Sequence, residues 1–306
     1  ELSFGTSSLG SMPDTYGYEV PEQRAQDTLK RFFQGPVNML DTSRNYAMGE
    51  SEKRIGKAIK ENGGWPNAFL LSTKLDRNMD TLVLDKNRVR ESLEESLKTL
   101  NVDSVDILFL HDPEYAKDIT DITKKDGAMD ELFKIKNEGL AKAAGVAMGK
   151  VDIMFPLLKD WDFDVIINHN RYTLLNREAN EMYDYASSKN IAIFNAAPYA
   201  GGVLAKGPSN FKKITYQDAS EEKLAPAREI EKVCKKYNVE MGAAALQFSM
   251  KDKRITSTIC GVTSIQSIEK NLAWANTNIP EEFWNEVLKL PYSTKDPESE
   301  RNFTPG

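Results

Sequence analysis

The 306-residue chain predicts an α/β fold, a (β/α)8 TIM barrel of one domain with a C-terminal helical extension. Three observations carry that prediction. Short apolar runs recur eight times along the chain, separated by charged stretches of helical pattern. The runs are apolar nearly throughout, as strands of a parallel sheet covered on both faces must be. No dinucleotide fingerprint follows the first run, so the open doubly wound sheet loses its usual signature. The segment "GTSSLG" (5–10) has glycines at P-loop spacing, but Ser11-Met12 stand where Lys-Ser/Thr is required, and "AGVAMG" (144–149) lacks the G-x-G-x-x-G spacing.

In chain order, "LSFGTSSL" (2–9) precedes the helix "EQRAQDTLKRFF", and "VNML" (37–40) precedes "ESEKRIGKAIKE". The third run, "FLLST" (69–73), leads to "NRVRESLEESLKTL", where Val89, Leu93, Leu97 and Leu100 line one buried face. "VDILFL" (105–110) is followed by "AMDELFKIKNE", and then come "AKAAGVA" (141–147) and "DVIIN" (164–168). "IAIFNA" (191–196) opens the longest irregular stretch, 199–220, read as a loop with Gly201, Gly202, Gly207 and Pro208. The helix "AREIEKVCKKY" and the last run, "ITSTIC" (255–260), follow, and "EEFWNEVLKL" (281–290) adds the terminal helix. Several helices open with acids and close with lysine, which complements the helix dipole. No Pro/Ser/Gly-rich linker interrupts the cadence, so 1–306 is expected to be a single domain.

Composition narrows the function classes. With 40% hydrophobic and 28% charged residues the chain reads as globular, and a net charge of −6 with a pI near 5.3 speaks against a nucleic-acid partner. No apolar stretch approaches the ~18 residues that would span a bilayer, and "ELSFGTSSLGS" has no signal-peptide pattern, so no membrane partner is expected. Cys234 and Cys260 stand in no metal-ligand spacing and read as reduced, buried thiols of a cytoplasmic protein that binds no metal. Asn302-Phe303-Thr304 fits a glycosylation acceptor only formally in that setting. Oligomeric state is not legible.

A barrel of this kind carries its chemistry where the strands end. Strand two exits at Asp41, strand three at Lys74, strand four at His111 and strand six through Asn168-His169-Asn170. Tyr46 follows Asp41 by five residues, in "MLDTSRNYAMGESE". Each residue alone has an ordinary explanation: a turn cap, a snorkelling lysine, a core histidine, a packed rim aromatic. Three consecutive strands sending an acid, a lysine and a histidine to one rim point instead to proton transfer. A free phenol titrates near ~10, and a neighbouring ammonium lowers that value, while a carboxylate beside the ammonium orients it. His111 could orient or polarise a carbonyl oxygen. The set holds no hydride source, so a redox reaction would need a cofactor. A barrel glycosidase using Asp41 with Asp112 or Glu114 is a remaining alternative, but it has no evident use for Lys74 or Tyr46.

These residues resemble the aldo-keto reductase family, and the likeness covers nearly the whole chain. It runs through "MLDTSRNYAMGESEKRIGKAI", "FLLSTKL", "RVRESLEESLKTLNVDSVDILFLHDPE", "INHNRYTLLNREA", "NAAPYAGGVLAKG" and "ICGVTSIQSIEKNLAWA". "RYTLL" and "PYAGGVL" are most similar to the aldose 1-dehydrogenase branch. The resemblance implies a barrel that binds NAD or NADP and interconverts an aldehyde or ketone with an alcohol, or oxidises an aldose at C1 to a lactone. It implies Tyr46 as general acid/base, tuned by Lys74 and Asp41, with His111 orienting the oxygen of a small carbonyl or sugar substrate. It further implies cofactor contacts from Thr6, Asp41, His169, Ala197, Tyr199, Gly201, Gly261, Thr263 and Asn271. Some family members serve mainly as channel subunits, so a cofactor-binding regulatory protein with little turnover is the alternative.

The chain also departs from the family pattern. Ala147-Met148 stand where a Ser-Asn pair usually holds the nicotinamide amide, and His169 stands where a glutamine is usual. Asn168 or Asn170 could take over that hold. The aromatic that often stacks on nicotinamide falls near Ala196, leaving Tyr199 or Phe194 to substitute. Gly261 and Ser267 occupy the positions of the lysine and arginine that grip a 2′-phosphate, which favours NAD, although Lys270 is near enough in sequence to serve NADP. The glycine of the tyrosine motif comes two residues late, after Ala47-Met48.

Overall fold

Every apolar run folds as a strand. In the computed structural model, which describes residues 1–301, these are β1 (Leu2–Gly5), β2 (Met39–Asp41), β3 (Leu70–Leu75), β4 (Val105–His111), β5 (Ala141–Met148), β6 (Val165–His169) and β7 (Ala192–Ala196). A two-stranded hairpin, β8 (Lys213–Ile214) and β9 (Gln217–Asp218), precedes the final barrel strand, β10 (Ile255–Gly261). Eight strands close a barrel in the order β1-β10-β7-β6-β5-β4-β3-β2. The Asn302-Phe303-Thr304 triplet lies outside the described residues.

The parallel register sets the rim. Asp41 pairs with Ser72, Lys74 with Phe109, and His111 with Ala147. Side chains alternate along a strand, so Ser72 and Lys74 share one face of β3 while Leu71, Thr73 and Leu75 take the other. Thr73 bears this out by donating to Glu52 of the flanking helix Glu50–Glu61, at 2.6 Å.

Helix ends follow local chemistry. The helix Lys86–Leu100 starts at Asp85, whose carboxylate accepts the Arg88 amide at 2.9 Å, and stops at Asn101 in the left-handed region. Met241–Met250 is buried on every side rather than along one stripe, as its Ala-rich sequence allows. The terminal helix spans Glu281–Val287.

The stretch 199–220 is more structured than a plain loop. It holds a turn at Ala200–Gly202, a short helix at Val203–Lys206 and the β8–β9 hairpin. Gly201 (φ +75) makes this possible, because a Cβ there would run into the backbone of Thr215 and Tyr216. The hairpin returns on the turn, with the Thr215 amide donating to the Ala200 carbonyl at 3.1 Å.

Backbone contacts group the chain into two units. The larger comprises Ser3–Ile167 with Gly261–Ile268; the smaller comprises Glu1–Leu2, Asn168–Cys260 and residues 269–301.

Candidate active site

Within the larger unit, β2 and β3 bring a carboxylate, an ammonium and a phenol together. Lys74, 2% exposed, commits all three of its ammonium hydrogens: to Asp41 Oδ2 at 2.8 Å, to the Thr42 carbonyl at 2.6 Å and to Tyr46 Oη at 3.1 Å. Asp41 Oδ1 accepts from Ser72 Oγ at 2.7 Å. Thr6 sits behind this group, donating to the Asp41 carbonyl at 2.9 Å and sharing a hydrogen bond with Ser51 at 3.0 Å. Both Asp41 oxygens are thus engaged, by Ser72 and by Lys74.

Tyr46 hangs from a loop with an unusual backbone. Ala47 (φ 51), Met48 (φ 54) and Gly49 (φ 93) form three consecutive left-handed residues before the helix Glu50–Glu61 begins. This is how the two residues beyond the family motif are accommodated. Only the third is glycine, and a Cβ on it would collide with the Arg44 guanidinium. Left-handed turns at non-glycine residues carry strain of order 1–2 kcal/mol each and persist where the surroundings hold them.

His111 faces the phenol edge-on, with ring centroids 5.7 Å apart and planes at 81°. Its Nδ1 lies 2.6 Å from Asp76 Oδ1, and its Nε2 lies 3.7 Å from Asp112 Oδ2. Asp76 also accepts Ser43 Oγ at 2.5 Å and the Asn45 amide at 3.0 Å. Asp76 and Ser43 were not legible as site residues. The available signal was that Asp76 stands two positions beyond Lys74, directly after a strand that runs to Leu75.

The electrostatics amend one expectation. Burial pushes the Tyr46 phenol well above its ordinary value, and the charges of Asp41, Tyr16, Asp112 and Asp76 push the same way. The adjacent ammonium favours phenolate, yet it is outweighed, so the unliganded chain holds a protonated phenol. For His111, burial lowers the value but the carboxylates of Asp76 and Asp112 more than reverse it, and the ring titrates above its usual point. For Asp76, burial raises the value, and the charge and hydrogen bond of His111 with the bonds from Ser43 and Asn45 bring it below the ordinary carboxyl range.

The other expected cofactor residues fall into two groups. In the larger unit, Gly261 ends β10, the Val262 amide donates to the Gly5 carbonyl, and the amides of Thr263 and Ser264 donate to Ser267 Oγ at 2.9 and 3.0 Å. The amides of Thr263 and Ser264 are therefore engaged by a serine hydroxyl.

In the smaller unit, the side chain of Tyr199 donates to Asn271 Oδ1, and its ring meets Trp274 edge-on. Ala197 (φ 55) and Gly201 (φ 75) are left-handed turn residues after β7. His169 ends β6 with Nε2 3.3 Å from Glu298 Oε2, and Arg171 binds Glu298, Asp296 and the His169 carbonyl. That ion cluster joins residues more than a hundred positions apart, and no local pattern announces it. Beside it, Asn170 (φ 62) is 1% exposed, and neither end of its amide has a hydrogen-bond partner among the described residues. Lys270 points to Glu240, at 3.9 Å, and over the Trp274 ring. No helix among the described residues is long and apolar enough to cross a membrane, and no cluster there could hold a metal ion. Cys234 and Cys260 are free and buried.

An eight-stranded barrel with an acid, a lysine, a tyrosine and a histidine at its strand exits is the build of a nicotinamide-dependent oxidoreductase. The profile of the Aldo/keto reductase family matches residues 1–290, and the chain belongs to that family. It is 30% identical over 276 residues to L-galactose dehydrogenase of Arabidopsis thaliana, covering 89% of this chain and 83% of that one. It is 26% identical over 314 residues to D-threo-aldose 1-dehydrogenase of a Pseudomonas species, covering 94% and 93%. Among solved structures, an aldo-keto reductase from Bacillus halodurans in its holo form shares the fold, with a TM-score of 0.78 at 20% identity over 99% of this chain and 95% of that one.

Proposed function

We propose that this oxidoreductase interconverts a small aldehyde or ketone with its alcohol, or oxidises an aldose at C1 to the lactone, with NAD as the preferred cofactor. The observation that carries the reading is the Asp41–Lys74–Tyr46 relay, with the phenol oxygen 3.1 Å from a buried ammonium. Tyr46 is the general acid in reduction: its raised phenol is protonated and ready to give its proton to the substrate oxygen. Lys74 then stabilises the phenolate, and Asp41 fixes Lys74. His111 donates to the same oxygen and orients it. In the oxidative direction the phenolate is the base, so oxidation should accelerate as pH rises. The names of the similar relatives, an L-galactose and a D-threo-aldose dehydrogenase, support a sugar substrate.

The nicotinamide cofactor, when bound, supplies or accepts the hydride. This chain's residues fit it. Asn170 offers one buried donor and one buried acceptor with no partner among the described residues, the complement of a carboxamide. Ala147 and Met148 stand where the family's Ser-Asn pair would hold the amide, and Asn170 takes that role. Absence of a cation at Gly261 and Ser267, and the engagement of Lys270 by Glu240 and Trp274, support NAD over NADP. Two buried free thiols support a reducing, cytoplasmic setting.

A panel of aldoses and aldehydes, run in both directions with NAD(H) and NADP(H), tests the reading. Tyr46→Phe should lower kcat by ~10³-fold or more while cofactor binding, followed by fluorescence, is retained. Full turnover in that variant would sink the mechanism. Cofactor binding without turnover anywhere on the panel would make the chain a binding protein instead.

A further inference from the structure

Position 76 has no role in the family pattern set out above, yet it is the most heavily bonded carboxylate at these strand exits. Asp76 is 1% exposed, the first residue past β3, and two positions beyond Lys74. Its Oδ1 meets His111 Nδ1 at 2.6 Å, and its Oδ2 accepts Ser43 Oγ at 2.5 Å and the Asn45 amide at 3.0 Å. Its backbone is anchored as well, by Ser92 Oγ on its amide at 2.9 Å and Arg88 Nε on its carbonyl at 3.0 Å.

The proton inventory fixes the ring. Ser43 has one hydroxyl hydrogen, and Asp76 Oδ2 receives it. Ser43 Oγ also lies 3.1 Å from Nδ1, but having given its hydrogen away it can only accept there. An ionised Asp76 has none to give. Nδ1 must therefore carry the hydrogen, which leaves Nε2 facing away from Asp76.

We infer that Asp76 is a positioning residue that locks His111 with Nδ1 protonated and holds the ring in its charged form, so that Nε2–H meets the substrate oxygen as a cationic donor. The inference rests on the proposed proton-transfer role of the Tyr46 centre. A charged donor polarises a carbonyl and stabilises a developing alkoxide more strongly than a neutral one, since charge-assisted hydrogen bonds are roughly twice as strong. The groups facing the ring agree with a cation. Asp76 arrives from β3 and Asp112 from the loop after β4, at 3.7 Å from Nε2. Against them stands Lys74, which is already paired with Asp41 at 2.8 Å, while Tyr46 presents a neutral phenol. The upward displacement of His111 and the downward displacement of Asp76 follow from the same pairing.

The chain has only two histidines, so a protein labelled with 15N-histidine gives two imidazole signals, and His169→Gln assigns the other to His111. In the unliganded wild type at pH 7, His111 should show both nitrogens protonated. In Asp76→Asn its proton affinity should fall about tenfold or more, and Asp76→Glu should restore part of it. The wild-type spectrum already decides if the variant fails to fold, since a neutral His111 at pH 7 overturns the inference. Because the spectrum is independent of turnover, it separates this inference from the Tyr46 reading. The kinetic arm is the pH profile of kcat for carbonyl reduction: in Asp76→Asn the alkaline limb should begin about one pH unit lower. A shifted imidazole with an unmoved profile would overturn the catalytic role assigned to the pairing.

Discussion

The exits of β2, β3 and β4 and the exit of β6 both carry charged and polar side chains, but they finish differently. In the first region the groups on and next to β2 and β3 satisfy one another: Lys74 spends three hydrogens, and Asp41 and Asp76 fill both oxygens. In the second, Arg171 binds Glu298 and Asp296, while its buried neighbour Asn170 keeps an amide with no partner among the described residues. The contrast separates two tasks. Groups that move a proton must be held in place before the substrate arrives, whereas groups that hold a ligand must stay open for it and destabilise the empty protein.

The strongest way to break this contrast is to remove one member of the closed set. Lys74→Met leaves Asp41, 4% exposed, with an uncompensated buried charge, and should lower unfolding free energy by about 3–5 kcal/mol in urea titrations. Adding Asp41→Asn should recover part of the loss. A penalty below about 1 kcal/mol for the single variant would mean that the set is not mutually dependent.

A smaller effect probes the open side. Asn170→Gly suits the backbone at φ 62 and deletes the unpaired amide, so stability without cofactor should stay within about 1 kcal/mol of the parent. Cofactor binding should weaken roughly ten- to hundredfold, read by fluorescence titration. Unchanged affinity would remove Asn170 from the cofactor site and dissolve the contrast.

The smallest effect concerns the exception within the closed region. Glu52 is wholly buried, and burial pushes its carboxyl up to about 7 against the hydrogen bond from Thr73. Its folded value lies above the ordinary 4.5, so the folded chain binds more protons than the unfolded chain between the two. Stability then falls as pH climbs through that window and levels off above it. Glu52→Gln should lack that fall, gaining on the order of 1–2 kcal/mol over the parent near pH 8 with little gain near pH 5. Parallel stability curves for the two proteins would show that Glu52 does not titrate this way.

The barrel and the three exit residues Asp41, Lys74 and His111 were legible because strand and helix periods are local, and a rim residue is simply found where an apolar run ends. The chain register of "MLD" and "VDILFLH" therefore carried Asp41 and His111 directly. Asp76 escapes that rule because the apolar run stops at Thr73, whereas β3 continues to Leu75 and Asp76 comes only after it. Glu298 and Arg171 pair across 127 residues, a distance over which sequence pattern has no reach. The engagement of Thr263 and Ser264 by Ser267 was hidden for a different reason, since a serine side chain there can turn either to the chain or to a ligand. The direction of the Tyr46 displacement also escaped, because residue types reveal neighbouring charges but not how much water they exclude.

Lys74 lies in β3 and Asp76 directly follows it, two positions apart, and each governs a different partner. Inserting or deleting one residue within Leu70–Leu75 would swap the strand's faces, sending the ammonium and carboxylate toward the helices together. The loop after β2 is under no such constraint: it has taken up Ala47 and Met48 as a left-handed detour and still delivers its tyrosine. Length variation among descendants of this chain should therefore gather after Tyr46 and be purged from β3, so that the gene's tolerance of in-frame indels becomes a map of which parts of the site are set by register and which by reach.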